Sequence, residues 1–191
     1  MIINFIRHGM TEGNKEQRYI GKTDEQLCAD EKIKLNKIKY PECSILISSP
    51  MLRCLQTAEI IYPDKKVLIC DGFRETDFGL FEGKNYEELS GNAEYQKWID
   101  SNGEGRFPGG DDPHEFRNRC ISEFGKIVEK YKEEKKISLV VHGGVIMSVM
   151  ERYAFPKKSF YEWHIQNGCG YITKYKNGIV EVISEIKRET L

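Results

Sequence analysis

The sequence predicts an α/β protein built around a mostly parallel sheet, and three observations carry that prediction. Short apolar runs of strand length recur at 1–6, 44–49, 67–70 and 137–141. Stretches with helical spacing or helix-start signals follow several of them. Two of the runs end in a histidine followed by glycine, Arg7-His8-Gly9 and His142-Gly143-Gly144. Open α/β sheets bind ligands at the carboxyl ends of their strands, so both histidines fall where a site is expected.

Bulk composition bounds the rest. A chain of 191 residues, 39% of them hydrophobic, suits one domain and can bury a core without staples. Its 29 basic and 30 acidic side chains leave a net charge of −1. No global field therefore points toward nucleic acid or a membrane surface. The six cysteines, at 28, 43, 54, 70, 120 and 169, form no Cys-x-x-Cys pair and no zinc-ligand spacing. Buried thiols in a reducing cytoplasm are the expectation. No basic-then-apolar leader is visible, and no run reaches the ~18 apolar residues of a membrane span.

The elements are justified in order. The run 1–6 is apolar apart from Asn4 and reads as a buried first strand. From 11 to 30 the chain is polar and punctuated by Gly13 and Gly21, which predicts a loop at the site edge. Ile33, Leu35 and Ile38 give helical spacing over 30–39, ended by Pro41. The second strand is 44–49; Ser49 is expected to cap a helix that starts at Pro50 and stops before Pro63. A third strand spans 67–70. Between 76 and 112 periodicity is weak beyond a helix expected at 86–99. That segment ends in a glycine- and proline-rich turn and is a candidate lid or subdomain over the site. A long helix over 113–136 carries the stripe Phe116, Cys120, Phe124, Ile127 and Tyr131. The strand 137–141 and a helix over 145–153 follow. Strands at 170–173 and 179–186 meet at Asn177-Gly178, a strong hairpin signal.

If the strands run parallel, their ends bring together Arg7, His8, Arg53, Glu75 and His142. Two guanidiniums, two imidazoles and a carboxylate match what phosphoryl transfer needs, because its catalysis is mainly positioning and electrostatic stabilisation of spread negative charge. Arginine contacts phosphate through two donors and stays charged. A neutral imidazole can attack and split the transfer into two steps. A second imidazole among phosphate oxygens tends to be protonated, and a carboxyl near an anionic substrate tends to keep a proton it can donate.

The motifs themselves resemble the histidine phosphatase superfamily, the phosphoglycerate mutase-like family. Arg7-His8-Gly9-Met10-Thr11 with Asn14 resembles its signature loop, and Ser48-Ser49-Pro50 through Arg53 to Ala58 its second motif. Glu75-Thr76-Asp77-Phe78-Gly79 resembles the acid-bearing motif, Phe107-Pro108-Gly109-Gly110-Asp111 a segment of its small phosphatase members, and Val141-His142-Gly143-Gly144 its last motif. The resemblance implies a three-layer α/β/α sandwich around a mostly parallel sheet, with a helical lid at 76–112 in a single domain spanning 1–191. It implies His8 as the phosphorylated nucleophile and Glu75 as proton donor. Arg7, Arg53, His142 and Asn14 would bind phosphate, with help from the backbone at Gly143 and the loop positions Ile20 and Gly21. No metal and no cofactor are implied; the partner is a small-molecule phosphomonoester. The length, the loop 19–27 and the segment 107–111 look most like α-ribazole phosphate phosphatases.

Departures and alternatives complete the reading. Gln26 stands where proline is usual, Cys28 where threonine or serine is common and Lys32 where glycine is common, which bears on loop rigidity and substrate choice. A phosphoglycerate mutase would use the same phosphohistidine, but here Thr76-Asp77-Phe78 replaces Arg-His-Tyr and Gly143-Gly144 replaces Gly-Asn. Asp77 is expected to add negative charge where a second phosphate would bind. A metal-dependent hydrolase lacks a His-x-x-x-His or His-x-His pair, and a non-enzymatic binder would have lost one of the five central residues. His114 and His164 are assigned no catalytic part. Phe155, Phe160, Tyr161 and Trp163 are assigned to the core or to an interface, which leaves a homodimer open. Phe78 and Tyr86 are candidates for lining the pocket.

Overall fold

In the computed structural model, residues 1–188 are described. The first half of the chain gives β1 (Ile2–Arg7), α1 (Glu12–Lys15), α2 (Glu31–Leu35), β2 (Ile45–Ser48), α3 (Leu52–Ile61), β3 (Val67–Ile69) and α4 (Ala93–Asp100). The second half gives α5 (Pro113–Lys130), β4 (Lys136–Val141), α6 (Gly143–Tyr153), β5 (Ala154–Phe155), β6 (Gly170–Lys176) and β7 (Ile179–Ile186). Short 3-10 helices lie at Asp71–Phe73, Gly79–Phe81 and Phe160–Trp163.

One seven-stranded sheet runs in the order β3-β2-β4-β1-β6-β7-β5. β3, β2, β4 and β1 are parallel, β6 and β7 form the antiparallel hairpin, and β5 pairs parallel with β7. The apolar runs of β1, β2 and β4 are interior strands packed on both faces, whereas the run at 67–70 forms the edge strand β3, with Ile69 exposed. Ile3, Phe5, Ile137 and Leu139 pack with Phe116 and Phe124 of α5 and Ile146 and Val149 of α6. Ile6 and Val140 point the other way, against Leu35 of α2 and Cys54 and Ala58 of α3. The result is the expected three layers, helix, sheet and helix.

Register places the site. β1 and β4 are neighbours with Arg7 opposite Val141, and His8 N donates to the Val141 carbonyl at 2.9 Å. Both strand-end histidines therefore arrive at one level of one edge.

Several boundaries differ from expectation for local reasons. The helix expected at 86–99 begins only at Ala93. Asn85 accepts from Glu88 N at 3.0 Å to form a turn, Gly91 takes φ +80, and Asn92 caps the helix by accepting from Glu94 N and Tyr95 N. α5 ends at Lys130 rather than 136, since the charged run after Tyr131 adds nothing to its apolar stripe. Its start is as expected, with Asp112 as cap and Pro113 in the first turn. α6 begins at Gly143, directly after His142. β6 extends to Lys176, and Asn177 and Gly178 both take the positive φ that the hairpin turn demands. Ser49 does not cap α3. Leu52 N donates instead to Asp24 at 2.7 Å, and Ser49 faces the site.

Candidate active site

The site starts from β1. His8 is 4% exposed, and its Nδ1 lies 2.7 Å from the Gly9 carbonyl. A carbonyl can only accept, so Nδ1 carries the proton and Nε2 keeps its lone pair. His142 sits 5.2 Å away, ring centre to ring centre, in an edge-to-face arrangement. Ser49 Oγ at 2.8 Å from Nε2 fixes its ring.

Both arginines are held by their outer nitrogens. Arg53 is 1% exposed and donates to the carbonyls of Thr23 and Gly21, both at 2.8 Å. Arg7 Nη1 donates to the Ile165 carbonyl at 2.8 Å and to His164 Nε2 at 3.1 Å. Each leaves a buried Nε without a partner. A Cβ built on Gly143 would meet Arg7 Nε at 3.5 Å, so that donor faces the start of α6. A helix N-terminus flanked by unpaired guanidinium donors is suited to an anion.

Glu75 accepts from Thr76 N at 3.1 Å and from Gly144 N at 3.3 Å. Burial pushes its carboxyl up from the ordinary range, against those two hydrogen bonds and the charges of Arg53 and Arg7. His8 is held well below the ordinary histidine range by burial, then by Arg53 and Arg7. His142 is likewise lowered, by burial, Arg53 and His8. This differs from the protonated second imidazole expected among phosphate oxygens. Without an anion, its surroundings are cationic and favour the neutral ring.

The sites of the remaining predicted residues are uneven. Arg7, His8, Asn14, Ile20, Glu75 and Gly143 line one cavity, while Arg53 and His142 lie behind it. Gly21 does not line it. A Cβ there would fall 1.7 Å from the Thr76 carbonyl, so Gly21 serves as a close backbone contact, its N–H on Glu82 and its carbonyl on Arg53. Those ties also hold the loop without the missing proline at Gln26. Asp77 lies outside this cavity and is paired with Lys22 at 3.0 Å, so it adds no free negative charge there. Phe78 lines the cavity, but Tyr86 is 56% exposed elsewhere. His164 borders it as well, and of the aromatic cluster assigned to the core or an interface Phe160 and Tyr161 line this cavity while Trp163 is core.

One supporting residue escaped the sequence reading. Asn167, 6% exposed, donates through Nδ2 to the carbonyls of His8 and Gly9 and to Asn14 Oδ1 at 3.0 Å. Its own carbonyl accepts from Arg188, which also pairs with the fully buried Glu31, and Glu31 in turn accepts from Met10 N. The Asn167-Gly168 dipeptide was the available signal, equal in kind to Asn177-Gly178. Among the described residues no three His, Cys, Asp or Glu side chains group as a metal site, and no helix is long and apolar enough to cross a membrane.

The model of the histidine phosphatase superfamily (branch 1) matches residues 3–184. The chain belongs to that superfamily. It is an enzyme of phosphate-ester chemistry. The uncharacterized phosphatase PhoE of Bacillus subtilis is 27% identical over 170 residues, covering 86% of this chain and 83% of that protein. Phosphoglycerate mutase-like protein 4 of Arabidopsis thaliana is 30% identical over 158 residues, covering 77% of this chain and 68% of that one. The crystal structure of the alpha-ribazole phosphatase from Shigella flexneri superposes with a TM-score of 0.85 over 98% of this chain and 97% of its own. At 20% identity that likeness carries the histidine phosphatase fold and no more.

Proposed function

We propose that this histidine phosphatase hydrolyses a small-molecule phosphomonoester through a phosphohistidine. The observation that carries the reading is the His8 tautomer: Nδ1–H is committed to the Gly9 carbonyl and leaves Nε2 as nucleophile. In the first step Nε2 forms a bond to phosphorus as the ester P–O bond breaks, and the leaving oxygen takes the Glu75 proton. In the second step water attacks phosphorus, its proton passes to the Glu75 carboxylate, and the P–N bond breaks. His8 is then neutral again and Glu75 is reprotonated, so the cycle closes without a co-reactant. Arg7 offers its free Nε donor to the phosphoryl oxygens, Arg53 adds its buried positive charge beside His8, and an anion bound there raises His142 toward its charged form.

Within this class, α-ribazole 5'-phosphate is the specific substrate we put forward, on the motif resemblance and the shared architecture. A cytoplasmic setting accords with six free thiols, five of them buried. Purified protein incubated with a panel of phosphomonoesters, including α-ribazole 5'-phosphate, with and without EDTA, is expected to release inorganic phosphate in both conditions. Efficient interconversion of 3- and 2-phosphoglycerate with little phosphate released would replace this reading by the mutase one.

A further inference from the structure

The tautomer of His8 hangs on one peptide unit, the one that joins Gly9 to Met10. Its carbonyl lies 2.7 Å from His8 Nδ1. In a planar trans peptide the C=O and the N–H point opposite ways, so whatever holds the N–H also aims the carbonyl. Here the N–H donates at 2.9 Å to Oε1 of Glu31, in the first turn of α2. Glu31 is fully buried. A Cβ on Gly9 would fall 2.8 Å from its Cγ and 3.1 Å from Oε1, so only glycine lets the carboxylate press against this backbone.

Arg188, just beyond β7, completes the arrangement. Its Nη2 donates to the same Oε1 of Glu31, while Nε and Nη2 donate to the Asn167 carbonyl at 3.0 and 2.9 Å. A Cβ on Gly168 would stand 3.0 Å from Nη2, so this glycine too makes room for the pair. The segment that Arg188 grips holds the rest of the nucleophile loop. Gly168 N donates to the carbonyls of Arg7 and His8 at 3.0 and 3.1 Å, and Asn167 Nδ2 reaches the Gly9 carbonyl at 3.3 Å. Among the described residues, Oε2 of Glu31 is buried with no hydrogen-bond partner. A buried carboxylate with one oxygen unused is a poor stabiliser, because a buried ion pair must first offset its own desolvation. What its other oxygen does is fix the peptide that faces His8.

We propose that Glu31 and Arg188 are a positioning pair for the nucleophile: Glu31 holds the Gly9–Met10 peptide so that its carbonyl meets Nδ1–H of His8 and Nε2 stays bare, and Arg188 holds Glu31. The effect on rate rests on the phosphohistidine reading; the effect on the ring does not. Two variants separate geometry from charge. Glu31→Gln is isosteric, and its Oε1 still accepts from Met10 N and Arg188. Glu31→Met removes that acceptor. Nitrogen NMR of the histidine rings, with His8 assigned by its loss in His8→Ala, is expected to show a protonated Nδ1 and a bare Nε2 in the wild type and in Glu31→Gln. In Glu31→Met the two signals are expected to move toward each other as the tautomers mix. Against an activated aryl phosphate, Glu31→Met is expected to lose about 10–100-fold in kcat with KM changed by less than about threefold. Glu31→Gln is expected to stay within about threefold in kcat, because it keeps both hydrogen bonds. Should Glu31→Met fail to fold, Glu31→Met/Arg188→Met, which leaves no unpaired charge, carries the same expectation. Unchanged ring signals or full kcat in the folded methionine variant would overturn the inference, as would an equal loss in Glu31→Gln. A tautomer fixed in the wild type and lost in Glu31→Met, with no phosphate released by the wild type from any ester, supports the pair and counts against the phosphohydrolase reading.

Discussion

Two neutral imidazoles, His8 and His142, are buried beside two guanidiniums, and this fixes how stability depends on pH. Both have folded-state pKa values well below 6.5. As pH falls below 6.5 the unfolded chain binds protons that the folded chain refuses, so the folded state loses stability in that window. Urea midpoints are expected to drop from pH 7 to pH 5, with a shallower slope in His142→Asn; an unchanged slope would show that His142 is not held neutral. Glu75 is shifted upward instead, chiefly by burial, in the direction that the proposed proton donor needs. Glu75→Gln removes that proton without changing size. Turnover of alkyl phosphates is expected to fall about 10²–10⁴-fold, and that of an activated aryl phosphate much less. Equal losses for both leaving groups would remove Glu75 from the donor role. Arg7, His8, Arg53 and His142 were legible in the sequence because each lies at a strand end or a helix start, and Glu75, in irregular chain, was legible through its motif. The lowered His142 was not, because it depends first on complete burial of the ring and then on how many cations the fold gathers around it.

At the scale of elements, the start of α6 and the segment 166–169 carry the precision of the site. Gly144 leaves room for the Glu75 carboxyl: a Cβ there would stand 2.6 Å from Oε1. Gly144→Ala is therefore expected to cost up to about 10²-fold in kcat through displacement of the acid, with only a small fall in melting temperature from pressure on the Phe116 ring 3.0 Å away. Parallel loss of stability and activity would mean a packing effect instead. Asn167 clamps the His8 loop and orients Asn14, so Asn167→Asp, which turns a donor into an acceptor against three oxygens, is expected to destabilise by about 1–3 kcal/mol and to raise KM. Denaturant unfolding and steady-state kinetics check both parts. The strands and long helices were readable because apolar runs and stripes report burial directly. The excursion was not, because its own small core of Phe81, Leu89 and Phe107, packed with Tyr19 and Trp98, has no helical or strand period. For the same reason Phe160 and Tyr161, assigned to the core or to an interface, were not read as pocket lining.

At the scale of the molecule, the parallel register of β1 and β4 and the crossing of α3 beneath them deliver four separated segments to one sheet edge. The excursion and the 3-10 helix at Phe160–Trp163 roof it. The recurring apolar runs and the two strand-end histidines announced the α/β sheet, but which aromatic residues meet across the roof is a long-range outcome that no local pattern encodes. All of this geometry converges on one atom, the Nε2 of His8. Rapid quench of the enzyme with labelled phosphomonoester tests it most directly. The expected result is an acid-labile, base-stable phosphoenzyme that forms and decays at rates consistent with turnover, and is missing from His8→Ala along with activity. Full activity in His8→Ala, or turnover with no phosphoenzyme on His8, would contradict it.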